Sequence, residues 1–167
     1  MTWLDKLKGG GDRPARPDIK VVLKAALGAW LAIGFIAWLA DTVQMPLLLG
    51  SLGASCVMLF GFPDLPFSQP RHVVVGHVVS SLSGLLLLEV CGPEWWALAI
   101  ALALAVSLMM LLGVVHPPAG SNPVIVFLGH PAWTFALYPT LVGAVVVVLI
   151  AIACNNLTRA TPYPKYW

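Results

Sequence analysis

His116-Pro117-Pro118-Ala119-Gly120-Ser121-Asn122-Pro123 interrupts a chain of almost continuous apolar residues, at a depth where a membrane helix is normally most regular. Lipid offers no water to an exposed backbone, so irregular chain persists there only where protein encloses it or where it lines a polar cavity. Asn122 followed by Pro123 reads as an N-cap and a first-turn proline, whose missing N–H costs nothing. A half-helix of about two turns over residues 124–128 is therefore expected. Ahead of it, Pro117 and Pro118 should hold residues 116–119 out of the helical region. An extended stretch of that size reaches mid-membrane at about 3.3 Å per residue, which would start the half-helix near the bilayer centre.

Around this break lie 167 residues, 59% hydrophobic and only 10% charged. A soluble domain carries about a quarter of its residues charged, so the composition is that of an integral membrane protein. Residues 20–40, 72–90, 95–115 and 133–154 each approach the roughly 20 apolar residues of a spanning helix. Barrel strands would be about half as long and alternate in polarity. The expected fold is an all-α bundle of four long spanning helices plus two short broken segments, 45–62 and 117–130. Residues 19–155 form one transmembrane domain. Before it, residues 1–18 combine an amphipathic stretch (Trp3, Leu4, Leu7, Lys6, Lys8) with a Gly9-Gly10-Gly11 linker; after it comes a tail, 156–167.

The charges give the sidedness. Of the nine Lys and Arg residues, six lie between Lys6 and Lys24, and the others are Arg71, Arg159 and Lys165. Asp41, Glu89 and Glu94 occupy connections without basic residues. If both short segments cross, all basic residues fall on one face, which is then cytoplasmic together with both termini. A bacterial inner membrane is the expected location. A threading with four crossings leaves Arg71 outside, so six crossings are preferred.

The two halves, 19–91 and 94–155, follow the same order: long helix, small-residue break, short apolar segment, Gly-x-Pro, long helix. Gly61-Phe62-Pro63 corresponds to Gly129-His130-Pro131, and Gly76 to Gly143. With three segments per half the copies must be inverted. The first break is Gly50-Ser51-Leu52-Gly53-Ala54-Ser55, where Ser51 or Ser55 is placed to cap residues 56–60 and Gly53 permits close backbone approach.

Two helix N-termini meeting near the midplane would aim free N–H groups and positive dipole ends at one point, which suits a small anion. Candidate substrate-binding residues are then Gly53, Ala54, Ser55, Gly120, Ser121 and Asn122. Arg71 and His72 at a cytoplasmic mouth would attract anions, and Asp64 is within loop reach of Arg71. His77 lies inside a span, where a polar residue faces the bundle interior; Gly76, Ser80, Ser83 and Gly84 around it also read as a packing face. His116, with Pro117 and Pro118, is a candidate gate, relay or ligand, and equally a helix-ending histidine that bonds a freed carbonyl.

Other chemistries find no pattern. Cys56, Cys91 and Cys154 lack metal-binding or disulfide spacing, and no nucleotide, zinc or other cofactor motif is present. The basic residues sit at membrane edges, so nucleic acid is not an expected partner; lipids, a small inorganic anion and, through small-residue helix faces, a second copy are. Enzyme function is not expected. Gly53-Ala54-Ser55 is faintly like the Gly-x-Ser of rhomboid proteases, but Cys56 stands where those carry a second glycine, and nothing local brings His116 to Ser55. The alternative to transport is an assembly or regulatory subunit that packs against partners.

With these residues in view, the chain resembles the HPP family of integral membrane proteins. The likeness rests on His116-Pro117-Pro118-Ala119-Gly120 and on Gly53-Ala54-Ser55-Cys56-Val57-Met58-Leu59-Phe60-Gly61-Phe62-Pro63-Asp64, continued by Gln69-Pro70-Arg71-His72, and covers roughly residues 20–155. Members are described with four spanning helices, and plastid and cyanobacterial members are associated with nitrite transport. The resemblance therefore implies nitrite or a similar monovalent anion as substrate. Many members carry paired nucleotide-binding CBS modules after the membrane part, a regulation expected here only from another polypeptide.

Overall fold

A computed structural model describes residues 2–8, 11–45 and 47–167. Gly9 and Gly10 of the expected linker, and Pro46 of the first short segment, lie outside the described residues. Helix α1 (Trp3–Leu7) opens with a capping box between Thr2 and Asp5 and buries no residue. Six further α-helices follow and make a bundle: α2 (Ile19–Val43), α3 (Gly50–Cys56, continued by a π turn Val57–Gly61), α4 (Pro70–Cys91), α5 (Trp95–Leu111), α6 (Asn122–Gly129) and α7 (Val142–Thr158).

Three apolar helical stretches, Ile19–Val43, Pro70–Cys91 and Trp133–Thr158, are long enough to cross a membrane, while Gly50–Gly61 and Trp95–Leu111 are shorter. The expected third long helix, 95–115, stops at Leu111 after 17 residues, because Gly113 takes a left-handed φ of 62° and turns the chain. The last stretch is not one straight helix either. Tyr138 leaves helical geometry inside it, where Pro139 cannot supply the N–H that a continuous helix needs.

Burial follows residue size. Helix α2 is outermost: the Asp18 carboxylate accepts from the Lys20 N–H and starts it, and only Gly28, Ala32 and Ile36 are buried, one every fourth residue. Helix α5 buries Ala97, Ala101, Ala105 and Met109 at the same spacing. Such small stripes let backbones approach where lipid removes the usual hydrophobic drive. Helix α4 is central, packed against α5, α6 and α7. Its inward face is small and polar, with Gly76, His77, Ser80, Ser81 and Gly84 all buried.

Both short segments depart from expectation in the same direction: they are more helical. Helix α3 begins at Gly50 behind an uncapped, extended Leu49, so Ser51 and Ser55 lie within the helix and cap nothing. Of the expected extended stretch 116–119 only His116 is extended, and Pro117–Ser121 forms a 3-10 turn that runs straight into α6. The first turn of a helix has no use for its N–H groups, so two consecutive prolines fit there without loss.

The basic residues gather at one end. Lys24 Nζ donates to the Thr158 carbonyl at 2.6 Å, and Arg71 donates to the Leu112 carbonyl at 3.3 Å. Glu89 stands about 27 Å further along α4 than Arg71, at the other end. The expected Asp64 and Arg71 pair does not form: Arg71 is drawn to the carbonyl end of α5, and Asp64 pairs with Arg159 and, at 3.3 Å, with Lys165. The C-terminal tail folds back as a strap over this end. Tyr163 donates its hydroxyl to Ser68 O at 2.7 Å, the Lys165 N–H donates to Gln69 Oε1 at 2.7 Å, and the Tyr166 hydroxyl lies 3.3 Å from His72 Nε2. Burial raises the Tyr163 pKa, which keeps its hydroxyl protonated and donating.

The Arg159 guanidinium holds the Asp64 carboxyl below the usual carboxylate range, with Lys165 adding to it. A folded-state value below the unfolded one means that the pair stabilises the protein above about pH 4 and that its contribution is lost as pH falls through the lowered value. Thermal unfolding in detergent should show this as an acid-side loss that Asp64→Asn removes. The effect should stay under about 1 kcal/mol, because the Asp64 side chain is 55% exposed.

Candidate functional site

The two short segments meet through side chains. Ser51 and Ser55 are one turn apart on the buried face of α3, and the Ser55 hydroxyl lies 2.8 Å from the Ser51 carbonyl. The same hydroxyl lies 2.8 Å from His116 Nε2, across 61 residues of chain. His116 Nδ1 faces the Phe67 carbonyl at 2.7 Å, so this nitrogen carries the hydrogen. The imidazole is thus fixed between the α3 serine and the loop before α4. Gly76 makes room for it: a Cβ there would sit 3.0 Å from both the Val114 carbonyl and His116 Cβ.

His77 lies beside this pair, its ring centroid 5.0 Å from that of His116. Its Nδ1 is 2.8 Å from the Val73 carbonyl. Asn122 donates from Nδ2 to Ser81 Oγ at 2.8 Å and to the His77 carbonyl at 3.3 Å, which fixes which way its amide points. Ser81 in turn lies 3.0 Å from the Thr140 hydroxyl. Ser80 donates to the Ala119 carbonyl at 2.6 Å and closes the turn. The cluster draws on α3, α4, α6 and the π turn before α7, hence on both halves of the chain.

Its members are sealed from solvent: Ser55, His77, His116, Asn122 and Thr140 are 0% exposed and Ser51 is 1%. Yet Ser51 Oγ, His77 Nε2 and Asn122 Oδ1 have no hydrogen-bond partner in the protein. An unpaired buried polar group costs about 1–3 kcal/mol, and three of them within one cluster set it apart from the rest of the interior.

Of the residues expected at the site, Ser55, Asn122, His77 and His116 converge here. Gly53, Ala54 and Ser121 do not: they lie on the exposed outer face, and Gly120 is half-buried. Ser121 spends its hydroxyl on the Pro118 carbonyl. The expected ring of backbone donors is also missing from the second short helix. Pro117 and Pro118 have no N–H, and the Ala119 N–H bonds the His116 carbonyl at 3.0 Å. Pro117 and Pro118 therefore act by shaping the turn that carries Asn122. Arg71 is exposed at the basic end, and His72 bonds the Val115 carbonyl at 2.9 Å beneath Tyr166. Sequence reasoning found no route by which Ser55 and His116 would touch; the structure brings them into contact. It also missed Ser51, Ser81 and Thr140. Ser51 is four residues from Ser55 and so was findable by helical spacing, whereas Thr140 behind Pro139 carries no such signal.

Two openings lie elsewhere in the bundle, and no cluster residue lines either of them. At the basic end a crevice of about 260 Å³ between α2, α3 and α7 is lined by Lys24, Asp64 and Arg159. The buried Arg159 Nη1 there has no partner. A cavity of about 440 Å³ lies where the start of α3, at Leu48 and Leu49, meets Ile125, Phe135 and Tyr138. The start of α3 therefore neighbours the later part of α6, and the N-termini of the two short helices do not converge on one point.

Two transmembrane proteins of Dictyostelium discoideum are similar to this chain. One is 33% identical over 177 residues, covering 99% of the chain and 61% of the relative. The other is 32% identical over 179 residues, covering 100% of the chain and 58% of the relative. The chain thus spans about three-fifths of the length of these relatives. No solved structure matches it. The profile of the family described as HPP, transmembrane region, matches residues 14–164. The chain is an integral membrane protein and belongs to the HPP family.

Proposed function

We propose that the chain carries a small monovalent anion across the membrane through the Ser51, Ser55, His77, His116 and Asn122 cluster. One observation carries this reading: the buried interior holds His72, His77 and His116 and, among the described residues, no buried Asp or Glu. Such an interior sets no fixed negative charge against an anion, and its polar groups are neutral hydrogen-bonding side chains. The Lys24 and Arg159 crevice at the basic end supports an approach for anions from that side. Nitrite stands first among candidates, through the resemblance to transport-associated family members.

An inverted repeat of the two halves would give the cluster a means of opening. Gly76 of α4 packs against the Val114 carbonyl just ahead of the second short helix, and Gly143 of α7 lies against Leu52 and the Leu47 carbonyl at the first. Each half thus closes on the other half's break, an arrangement suited to rocking of one half against the other. By the charge rule the basic end faces the cytoplasm, and labelling of a single cysteine at Leu65 reports the orientation in vesicles.

The test is flux in proteoliposomes. Nitrite uptake at least several-fold above protein-free vesicles is expected; no movement of nitrite, nitrate, formate or chloride would remove the transport reading. The contact between Ser55 and His116 favours one other reading, a serine nucleophile with its base. A fluorophosphonate probe separates the two: transport predicts no Ser55-dependent labelling, and labelling lost in Ser55→Ala would establish the nucleophile.

A further inference from the structure

We infer that His116 takes up a proton with each anion, so that transport through the cluster is electroneutral; this rests on the transport reading above. The argument is a count of hydrogens. Ser55 has one hydroxyl hydrogen and two groups at 2.8 Å that accept it, the Ser51 carbonyl and His116 Nε2. His116 Nδ1 already holds the hydrogen that faces the Phe67 carbonyl. With a neutral imidazole the chain from Phe67 to Ser51 is one hydrogen short. A proton on Nε2 completes it: Nε2–H donates to Ser55 Oγ, and the Ser55 hydroxyl turns its hydrogen to Ser51 O. The proton comes from the aqueous phase on the loading side and leaves to the opposite phase. Only the N–H bond forms and breaks.

The neighbouring orphans point the same way. His77 Nδ1 faces the Val73 carbonyl, so a neutral His77 presents a bare lone pair at Nε2. Asn122 Oδ1 is a second lone-pair group without a partner, its amide held in place through Nδ2. A neutral cluster therefore repels an anion with lone pairs, and a protonated one attracts it with charge.

No resident group offsets that charge. Around His116, α3 brings Cys56 and α4 brings His72 and His77, while Arg71 stands exposed at one end of α4 and Glu89 and Cys91 lie at the other; α5, α6 and the Pro117–Ser121 turn bring none. Asp64 is engaged by Arg159 and Lys165. Asp41, Glu89 and Glu94 are not buried. A lone cation in a dry interior loses its hydration without compensation, and so does a lone anion. Taken up together, each offsets the other.

The experiment uses the full chain in proteoliposomes with nitrite as the probe, corrected for protein-free vesicles. An inside-alkaline pH gradient, with the membrane potential clamped to zero by potassium and valinomycin, should raise nitrite uptake at least ten-fold and alkalinise the outside by one proton per nitrite. An inside-positive potential at equal pH should leave uptake unchanged. Uptake that follows the potential and ignores the pH gradient overturns the coupling while the transport reading stands. No uptake under either condition overturns both. His116→Gln, confirmed as monodisperse, should lose the pH-driven increase; retention of it would remove His116 as the proton site.

Discussion

Gly84→Leu is expected to leave almost no monodisperse protein after detergent extraction, whereas Gly53→Leu should extract and melt nearly as the native chain does. Both changes add the same side chain to a glycine in a short-range helical environment, so the difference isolates packing. A Cβ on Gly84 would meet Pro123 Cα at 2.9 Å and Val126 Cβ at 3.2 Å. The first of these is backbone and cannot rotate away. A glycine replaced in a helix gains at most about 1 kcal/mol of propensity, while overpacking of a close contact costs about 1–3 kcal/mol and more when a backbone must move. Leucine forces α6 off α4 and takes Asn122 with it. Gly53 has nothing within 4 Å of the same position. Equal yields for the two variants would mean that α4 and α6 are not held at this separation.

Asn122→Leu should have the opposite profile: a protein that folds but carries anions at least ten-fold more slowly, close to the protein-free background. Leucine is close in size, and it removes the orphaned Oδ1 along with the Nδ2 bonds to Ser81 and His77. Ser81 keeps its partner in Thr140. The stability change is then the loss of two modest hydrogen bonds, about 1 kcal/mol each, set against burial of an apolar group and relief of an unpaired one. Unchanged flux in a folded Asn122→Leu protein would take the cluster out of the transport path. Reading flux and thermal midpoint on the same preparation separates this variant from Gly84→Leu, in which both should fall.

Much of the bundle was legible because lipid imposes a simple rule on length and polarity. The apolar runs that became α2, α4 and α7 stand out in that way. The second short helix was placed nearly right but for the wrong reason: Asn122, expected as its cap, is its first residue and caps nothing, its amide being held by Ser81 and the His77 carbonyl. What failed was the grammar at the breaks. Ser51 and Ser55 fit a cap and the inner face of a helix equally well, since each use asks for a small side chain that bonds backbone. Pro117 and Pro118 were read as helix breakers, although a first turn accepts them; only His116, the residue before the pair, is pushed to extended geometry. The expected anion site rested on the same reading. It was assigned to free N–H groups, which two prolines cannot supply, and the polar side chains that do converge come from positions 61 residues apart with no local trace of their meeting.

The strap formed by the C-terminal tail has a practical bearing on how this protein is handled. Tyr163, Lys165 and Tyr166 are each tied to the loop before α4 or to its first turn, so an affinity tag or fluorescent fusion joined after Trp167 would tug on the lid above His72. A tag placed ahead of α1 meets a helix that buries nothing and leaves that lid untouched. Purification from the front end is therefore the sounder choice for any measurement of flux.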